Sequence, residues 1–372
     1  MRIHKLDGLR GIFSLMIVLF HYREAFLPEF LRHVFFIRSS YTFVDFFFVL
    51  SGYVIAYNYN SIKAFPEFIV YIKKRFIRLF PLLLLTTTIA LFFDLIGNFT
   101  FPHLVKNVDS VSVLLQRYAD TLMFTNSTPI LGKTAGMNGV AWSISSEMVS
   151  YIVFGLTSIL VFGKRKNILL ALIILICSIF IIIHGKFFNT GDYGFVRGLI
   201  SFNMGYFVWL LSVYKIKISN WFELTIPITL LLIFYILNRK LTGFEQQMFG
   251  LAVIPIFYGI SIWILLKTNG ILSKLLSSKP LVFLGDISYS VYLNHAIIVL
   301  VVPKIAFGIL KIPQNVFSEI SLLVLTLVFI IIYSYFTYKY VEIKGGSFLK
   351  KIFKVNPNKA PIDNKLKMDL KN

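Results

Sequence analysis

Charged residues are scarce in this sequence. Only 15% of its 372 residues are Asp, Glu, Lys or Arg, whereas 57% are hydrophobic, and the mean hydropathy is +0.77. Soluble globular domains carry about a quarter charged residues, so the composition excludes an ordinary water-soluble enzyme. We therefore take lipid as the solvent for most of the chain.

Cysteine and acidic residues are also scarce. The single cysteine, Cys177, lies in a Leu- and Ile-rich stretch, which excludes a disulfide framework and a cysteine metal site, and no metal is expected. Lys and Arg number 37 against 17 Asp and Glu, for a net charge of +20, but they are spread over short loops and a Lys-rich tail. Attraction to anionic membrane lipid explains this distribution more simply than a nucleic-acid partner, which is not expected.

Long apolar runs recur along the whole chain. A bilayer core needs roughly 20 mostly apolar residues per helix, and the sequence offers ten such runs. It therefore predicts an all-α integral membrane protein with about ten transmembrane helices. The predicted spans are 8–27, 41–59, 79–97, 140–162, 168–184, 195–214, 222–237, 249–266, 281–306 and 320–340.

The basic residues also predict an orientation. Cytoplasmic loops retain Lys and Arg, and an amino terminus inside places most of the 37 basic residues on the cytoplasmic side. With ten spans, both termini are then cytoplasmic, in a multi-pass protein of the plasma (inner) membrane whose first helix is its own uncleaved insertion signal. Residues 1–345 form the membrane domain, and 346–372 are expected to be a basic, disordered cytoplasmic tail.

Two ionisable residues on the first span are candidates for chemistry. Arg10 and His21 are eleven positions apart, which on an α-helix puts them on one face with a rise of roughly 16 Å. Charge at membrane depth is costly and suggests function. His21 can act as a general base near neutral pH, although an interfacial histidine beside water is the competing interpretation.

A basic cluster precedes the third span. Arg75 and Arg78 are three apart and share a helical face, a geometry that can grip phosphates. Anchoring at the cytoplasmic surface explains the neighbouring Lys73 and Lys74, and is an alternative for the arginines too.

Two buried carboxylates complete the candidate set. Asp45 stands among phenylalanines and needs a cation or several donors, for which Arg10 or His21 are possible partners. Glu147 can orient a protonated histidine or assist proton transfer, and a structural pairing with Arg197 is the competing interpretation.

Tight helix packing is the favoured role of Ser51 and Gly52. Hydrogen bonding between helices is favoured over chemistry for Arg197, Asp286, Tyr289, Tyr292, Asn294, His295 and Glu342, of which Tyr292 and His295 share a helical face.

These residues occur in blocks whose order resembles that of membrane acyltransferases of the acyltransferase-3 family, which O-acylate extracytoplasmic glycans. The resemblance runs over nearly all ten spans. The blocks are residues 6–11 continuing to His21, residues 45–52, Arg75 with Arg78, residues 142–147, Arg197 with Phe202 and Gly205, and residues 287–295.

The resemblance implies a function and roles for residues. Arg10 and His21 match a pair regarded as essential in the family, and Arg75 and Arg78 match an arginine pair implicated in donor handling. The implied donor is acetyl-CoA from the cytoplasm, and the implied acceptor is a hydroxyl of a glycan or lipid-linked saccharide. Glu342 lacks the proline that often follows it in the family. Some members carry an extra extracytoplasmic hydrolase-like domain that completes the transfer, and this sequence ends without one. The chain is therefore expected to act alone or to hand the acyl group to a partner.

The sequence thus predicts a membrane O-acetyltransferase with catalytic residues His21, Arg10, Glu147 and Asp45 and with Arg75 and Arg78 binding the donor. A proton-coupled transporter of a glycan precursor is the alternative, although the sequence has no internal repeat or inverted pair of broken spans. A non-enzymatic sensor or assembly factor, with buried polar residues joining helices, is the third possibility. The oligomeric state is left open.

Overall fold

The computed structural model describes residues 2–59, 62–102, 108–131 and 136–355. Most of these residues form α-helices, with no strand among them, which confirms the predicted all-α membrane fold. In chain order the helices are α1 His4–His21, α2 Glu29–Arg32, α3 Phe35–Arg38, α4 Phe43–Asn58, α5 Phe65–Thr100, α6 Val111–Leu122, α7 Trp142–Leu160, α8 Lys164–His184, α9 Gly194–Ser212, α10 Thr225–Arg239, α11 Gly243–Lys267, α12 Ile271–Leu276, α13 Lys279–Asp286, α14 Ser288–Pro303, α15 Val316–Thr337 and α16 Lys344–Ile352.

Shorter helical turns connect several of these helices. Three are 3₁₀ turns, at Glu24–Phe26, Ser40–Thr42 and Asn220–Leu224. Two are π-helical, Lys304–Ile309 after α14 and Tyr338–Ile343 between α15 and α16. The latter continues α15 into α16, so the predicted tail 346–372 begins as a helix. Its residues 356–372 lie outside the described part of the chain.

Nine stretches of the described residues are long and apolar enough to cross a membrane. They match the second to tenth predicted spans, because sustained hydrophobicity is a strong sequence signal. The first predicted span, 8–27, corresponds to α1, which has 18 residues and carries Lys5, Asp7 and Arg10 in its first turns. Its membrane crossing, and with it the count of ten, stays a prediction.

Helix α1 packs very closely against its neighbours at its amino-terminal end. A Cβ atom added to Gly8 would lie 1.9 Å from the backbone oxygen of Leu276, and one added to Gly285 would lie 2.1 Å from that of Asp7. Only glycine allows backbones to approach so closely. Helix α1 is therefore fixed against α12 and α13, and α14 packs along it.

Helices α4 and α9 meet through a reciprocal pair of glycines. A Cβ atom on Gly52 would lie 1.9 Å from the backbone oxygen of Phe202, and one on Gly205 would lie 2.0 Å from that of Val49. The prediction that Gly52 serves tight helix packing is confirmed. The two helices form one rigid wall beside the site described below.

Between α5 and α7, the described residues include the amphipathic helix α6. The Asn98 side chain donates to the backbone oxygen of Asp109 over 2.6 Å. Arg117 on α6 donates to the Asp109 carboxylate over 2.9 Å and to the backbone oxygen of Gly136. These bonds tie α6 to the end of α5.

Candidate active site

Four arginines converge on one cavity of about 280 Å³ beside the amino-terminal half of α1. Two carboxylates also line it, so the guanidinium groups outnumber the acids and the cavity carries a positive field. We call it the arginine cavity. Its charged residues are Arg2, Asp7, Arg10, Arg75, Arg78 and Glu147, and its other walls include Phe47, Phe48, Ser143 and Tyr292.

Arg10 enters this cavity from α1 and is loosely paired. Its Nη1 lies 3.5 Å from Oδ1 of Asp7. Asp7 also accepts a bond of 2.9 Å from Nε of Arg2, and Arg2 reaches Asp286 on α13. These bonds to Asp286 and Asp7 raise the pKa of the Arg2 guanidinium above its ordinary value. The Asp7 charge is thus shared, which leaves Arg10 able to bind an anion.

Arg75 and Arg78 enter from α5 on one face, as their spacing predicted. Arg75 donates from Nη2 to the hydroxyl of Tyr59 over 3.3 Å, and its guanidinium carbon lies 5.3 Å from the Tyr59 ring and 5.9 Å from the Tyr151 ring. This cation–π contact orients the planar group. Arg78 is exposed to the cavity.

Glu147 lies on α7 and lines the same cavity. Its Oε1 accepts a bond of 2.6 Å from Oγ of Ser51 and another from the Tyr151 hydroxyl. The alternative that Glu147 pairs with Arg197 is wrong. The structure places Glu147 in one cavity with the arginines and does not bring it to His21.

Asp45 lies outside this cavity, in a fully buried ion pair. Its two oxygens accept bonds of 3.0 and 2.6 Å from Nε and Nη2 of Arg197 on α9, and Ser201 donates to Oδ1 over 2.9 Å. The expectation that Arg10 or His21 partners Asp45 is wrong. The two-pronged geometry satisfies both charges in a site where neither could be left alone.

His21, the last residue of α1, contacts a second histidine. Nε2 of His295 on α14 lies 3.2 Å from Nδ1 of His21, and the ring centroids are 5.0 Å apart. His295 is fully buried, whereas His21 is only partly so. Nδ1 of His21 also lies 3.0 Å from the backbone oxygen of Ile17.

The carbonyl contacts select the tautomers of the two histidines. Nδ1 of His295 lies 3.1 Å from the backbone oxygen of Val291, so in the neutral ring this nitrogen carries the proton and Nε2 is an acceptor. The Nδ1–H group of His21 then donates to Nε2 of His295 and to Ile17. The Nε2 lone pair of His21 is left to accept a proton from a substrate.

Neither histidine lines a cavity, but each adjoins residues that do. On one side, the His295 ring is 5.7 Å from that of Tyr292, which lines the arginine cavity. On the other, His21 stands between Phe20 and Tyr22, which line a second cavity of about 350 Å³ at the carboxy-terminal end of α1. We call it the polar cavity. Its polar lining is Tyr22, Glu24, Arg32, Arg38, Tyr41, Asn238, Gln246 and Gln247.

The structure therefore gathers Arg10, Arg75, Arg78 and Glu147 in one cavity and places His21 and Asp45 elsewhere. Sequence reasoning assigned His295 to structural bonding and missed its contact with His21. The shared face of Tyr292 and His295 was the available signal. Structural bonding is confirmed for Asn294, which donates to Thr337 over 2.8 Å. Within the described residues, no three His, Cys, Asp or Glu side chains gather as metal ligands.

Comparison with known proteins agrees with the sequence resemblance. An O-acetyltransferase OatA from Staphylococcus aureus strain NCTC 8325 is 26% identical over 319 residues, which is 78% of this chain and 49% of that protein; the strain COL protein of the same name matches equally. The Rhizobium radiobacter "Protein 2 in picA locus" is 32% identical over 165 residues, or 40% of this chain.

The chain spans about half the length of the S. aureus relatives. No solved structure matches the chain. The model of the acyltransferase-3 family, described as an acyltransferase domain, matches residues 3–343, nearly the whole described chain. The chain belongs to the acyltransferase-3 family.

Proposed function

We propose that this protein is a membrane O-acyltransferase that moves an acyl group, acetyl in the first instance, from acyl-CoA to a hydroxyl of an extracytoplasmic glycan or lipid-linked saccharide. One observation carries the proposal. A cavity rich in arginine and a histidine with a free ring nitrogen lie at opposite ends of one helix, α1. Family membership supports the acyl transfer, and the S. aureus relatives support an acetyl group.

The arginine cavity suits the phosphates of coenzyme A. Arg78 is exposed to the cavity and Arg75 is preoriented by its aromatic neighbours, and guanidinium groups bind phosphate through paired hydrogen bonds. Arg10 adds a third cation. Glu147 lines the same cavity. Its negative charge reduces the repulsion among the arginines when no donor is bound.

His21 is proposed as the general base for transfer. Its Nε2 takes the proton of the acceptor hydroxyl while that oxygen forms a bond to the thioester carbonyl carbon. The carbon–sulfur bond then breaks and the sulfur leaves as thiolate, which receives the proton. The products are an oxygen ester and free coenzyme A. A transient acyl group on His21 is the two-step version of the same transfer.

The orientation of the chain is part of the proposal. With the amino terminus inside, the arginine cavity opens toward the cytoplasm, where acyl-CoA is found, and the polar cavity faces outward. The membrane is proposed to be the plasma (inner) membrane. The basic loops support this orientation, because most Lys and Arg then lie inside.

The test is release of coenzyme A thiol by purified full-length protein in lipid nanodiscs, supplied with acetyl-CoA and surface polysaccharide that has been deacetylated with mild base. We expect release coupled to acetylation of the polysaccharide, and a loss of about 10²–10⁴-fold in His21→Ala, the usual contribution of a general base. Transport of an unmodified saccharide without thiol release would instead identify a transporter.

A matched control is His184→Ala. His184 also ends a helix, α8, and its Nδ1 lies 3.0 Å from the backbone oxygen of Phe180, the same local contact that His21 makes with Ile17. Its ring contacts are Phe180 and Tyr193, where His21 contacts His295. Thiol release should be retained in this variant, and equal losses in both variants would refute the role of His21.

A further inference from the structure

The polar cavity has a chemistry different from that of the arginine cavity. Its volume of about 350 Å³ lies within the roughly 300–1,000 Å³ of ligand pockets. Resting on the proposed function, we propose that this cavity binds the acceptor, as one or two rings of a neutral saccharide, with an acceptor hydroxyl beside His21.

The charges of the polar cavity are balanced in pairs. Arg38 lies 4.0 Å from Glu24, and Arg32 lies 3.5 Å from Glu319 on α15. Each guanidinium group therefore has a carboxylate beside it. The cavity lacks the excess of positive charge that the arginine cavity offers to phosphates, so a neutral ligand fits it better than an anion.

Three amide side chains supply neutral donors and acceptors. Gln246 donates from Nε2 to the backbone oxygen of Leu237 over 2.9 Å, which leaves its Oε1 toward a ligand. Gln247 accepts at Oε1 from the backbone nitrogen of Phe188 over 2.7 Å, which leaves its Nε2. Asn238 contributes both groups. A sugar hydroxyl both donates and accepts hydrogen bonds, so amide oxygens and amide nitrogens together can bind it.

Aromatic rings form the remaining wall. The centroids of Phe20 and Tyr41 are 5.5 Å apart, and those of Tyr41 and Phe188 are 4.8 Å apart with the ring planes at 87°. The apolar body and polar tip of Tyr41 can meet the C–H face and the hydroxyls of a sugar together.

The buried ion pair holds this wall. Arg197 donates from Nη2 to the backbone oxygen of Tyr41 over 3.2 Å, and its guanidinium carbon lies 5.1 Å from the Phe188 ring. Asp45 fixes that guanidinium. The Asp45–Arg197 pair is therefore a support of the polar cavity, which explains a buried charge pair outside the arginine cavity.

His21 adjoins this cavity without lining it. Its ring lies 4.9 Å from that of Phe20, and both chain neighbours of His21 line the cavity. A hydroxyl that extends from the cavity past the Phe20 ring would meet the Nε2 lone pair without passing through the arginine cavity. Donor and acceptor would then approach the histidine pair from opposite sides.

Initial rates of acetyl transfer, measured against the concentration of deacetylated surface polysaccharide at saturating acetyl-CoA, test the assignment. Tyr41→Phe removes one hydroxyl and Asn238→Ala one amide. We expect each to raise the KM for polysaccharide by about three- to tenfold, as loss of a hydrogen bond does, with the KM for acetyl-CoA unchanged. Tyr235→Phe, on the exposed face of α10, is the matched control and should alter neither constant.

A second measurement avoids dependence on turnover. Because the single native cysteine, Cys177, is buried, the thiol of Asn238→Cys becomes the accessible one. Polysaccharide fragments should slow its reaction with a maleimide, and acetyl-CoA should not. The full-length protein in nanodiscs is used throughout.

The outcomes separate the two proposals. If the wild type acetylates the polysaccharide but neither the KM for polysaccharide nor the maleimide rate responds as stated, the acceptor assignment is overturned while the proposed function stands. If maleimide protection comes from phosphatidylglycerol in the nanodisc and not from saccharide, the cavity binds a lipid headgroup and the assignment is likewise overturned. Absence of thiol release in the wild type refutes the proposed function itself.

Discussion

At the scale of single residues, His21 is held by another imidazole. His295 accepts from Nδ1–H of His21 through its Nε2, and the backbone oxygen of Val291 fixes the His295 tautomer. In many hydrolytic triads a carboxylate has this place and stabilises the protonated base. A neutral histidine orients the ring but adds no negative charge, so its removal should cost less than removal of His21.

We predict that His295→Leu lowers kcat for acetyl transfer by about 10–100-fold, the scale on which hydrogen-bond partners of metal-binding histidines contribute, with little change in the KM for acetyl-CoA. His295→Gln retains an acceptor oxygen and should recover part of the rate. Steady-state kinetics on both variants checks this. Equal kcat values in the Leu and Gln variants would contradict a positioning role.

A second prediction concerns the arginine cavity. Arg78→Gln should raise the KM for acetyl-CoA by about 10–150-fold, because a hydrogen bond to a charged group contributes about 1.5–3 kcal/mol. The KM for polysaccharide should not change. Lys73→Gln, exposed on the same helix and outside the cavity lining, is the control. A donor KM unaffected by Arg78→Gln would exclude this side chain from donor binding.

The sequence predicted which buried side chains need hydrogen-bonding or charged partners. The packing of the helices determines which partners they have. A buried carboxylate at Asp45 had to meet a cation, yet Arg10, Arg197 and His21 were all available. The choice of Arg197 depends on the approach of α9 to α4, which is 152 positions distant along the chain. The tie between His21 and His295 spans 274 positions, and no local pattern encodes it.

At the scale of helices, α4 and α9 act as one unit. Reciprocal glycines bring their backbones together, and the Asp45–Arg197 pair joins them nearby. Spans were predictable because each is a long apolar run. The irregular turns within and beside these spans were not predictable, since they depend on packing between helices. Examples are the π-helical turns at Lys304–Ile309 and Tyr338–Ile343.

We predict that Asp45→Leu destabilises the protein by about 3–5 kcal/mol, because it leaves the guanidinium of Arg197 buried without its carboxylate. The double variant Asp45→Leu with Arg197→Met should recover much of this loss, since no charge then remains uncompensated. Thermal unfolding in nanodiscs, followed by tryptophan fluorescence, measures both. A double variant less stable than Asp45→Leu would show that the pair stabilises the fold through its charges.

At the scale of the whole molecule, the two cavities face opposite ends of the helices. Tyr57 and Asn58, at the end of α4, line the arginine cavity, and Phe188, between α8 and α9, lines the polar cavity. With the amino terminus inside, we predict that the thiol of Lys63→Cys is protected from an impermeant maleimide in intact cells. The thiol of Lys186→Cys should react. The opposite pattern would reverse the proposed orientation.

Both halves of the proposed site share rigid elements. Helix α4 contributes Phe47 and Ser51 to the arginine cavity, and Tyr41, just before it, lines the polar cavity. A transporter that alternately opens each side requires elements that move against each other. Here the substrates are expected to move while the walls stay in place.

Arg10 and His21 lie on one unbroken helix, α1, about 16 Å apart along its axis. This fixed separation sets the length that the donor must have between its phosphates and its thioester. A donor held by its phosphates at Arg10 presents its thioester to His21 only if the linker between the two has the matching length. Truncated thioesters without the phosphate end should lose kcat as well as affinity, since their remote binding energy no longer aligns the reacting carbonyl.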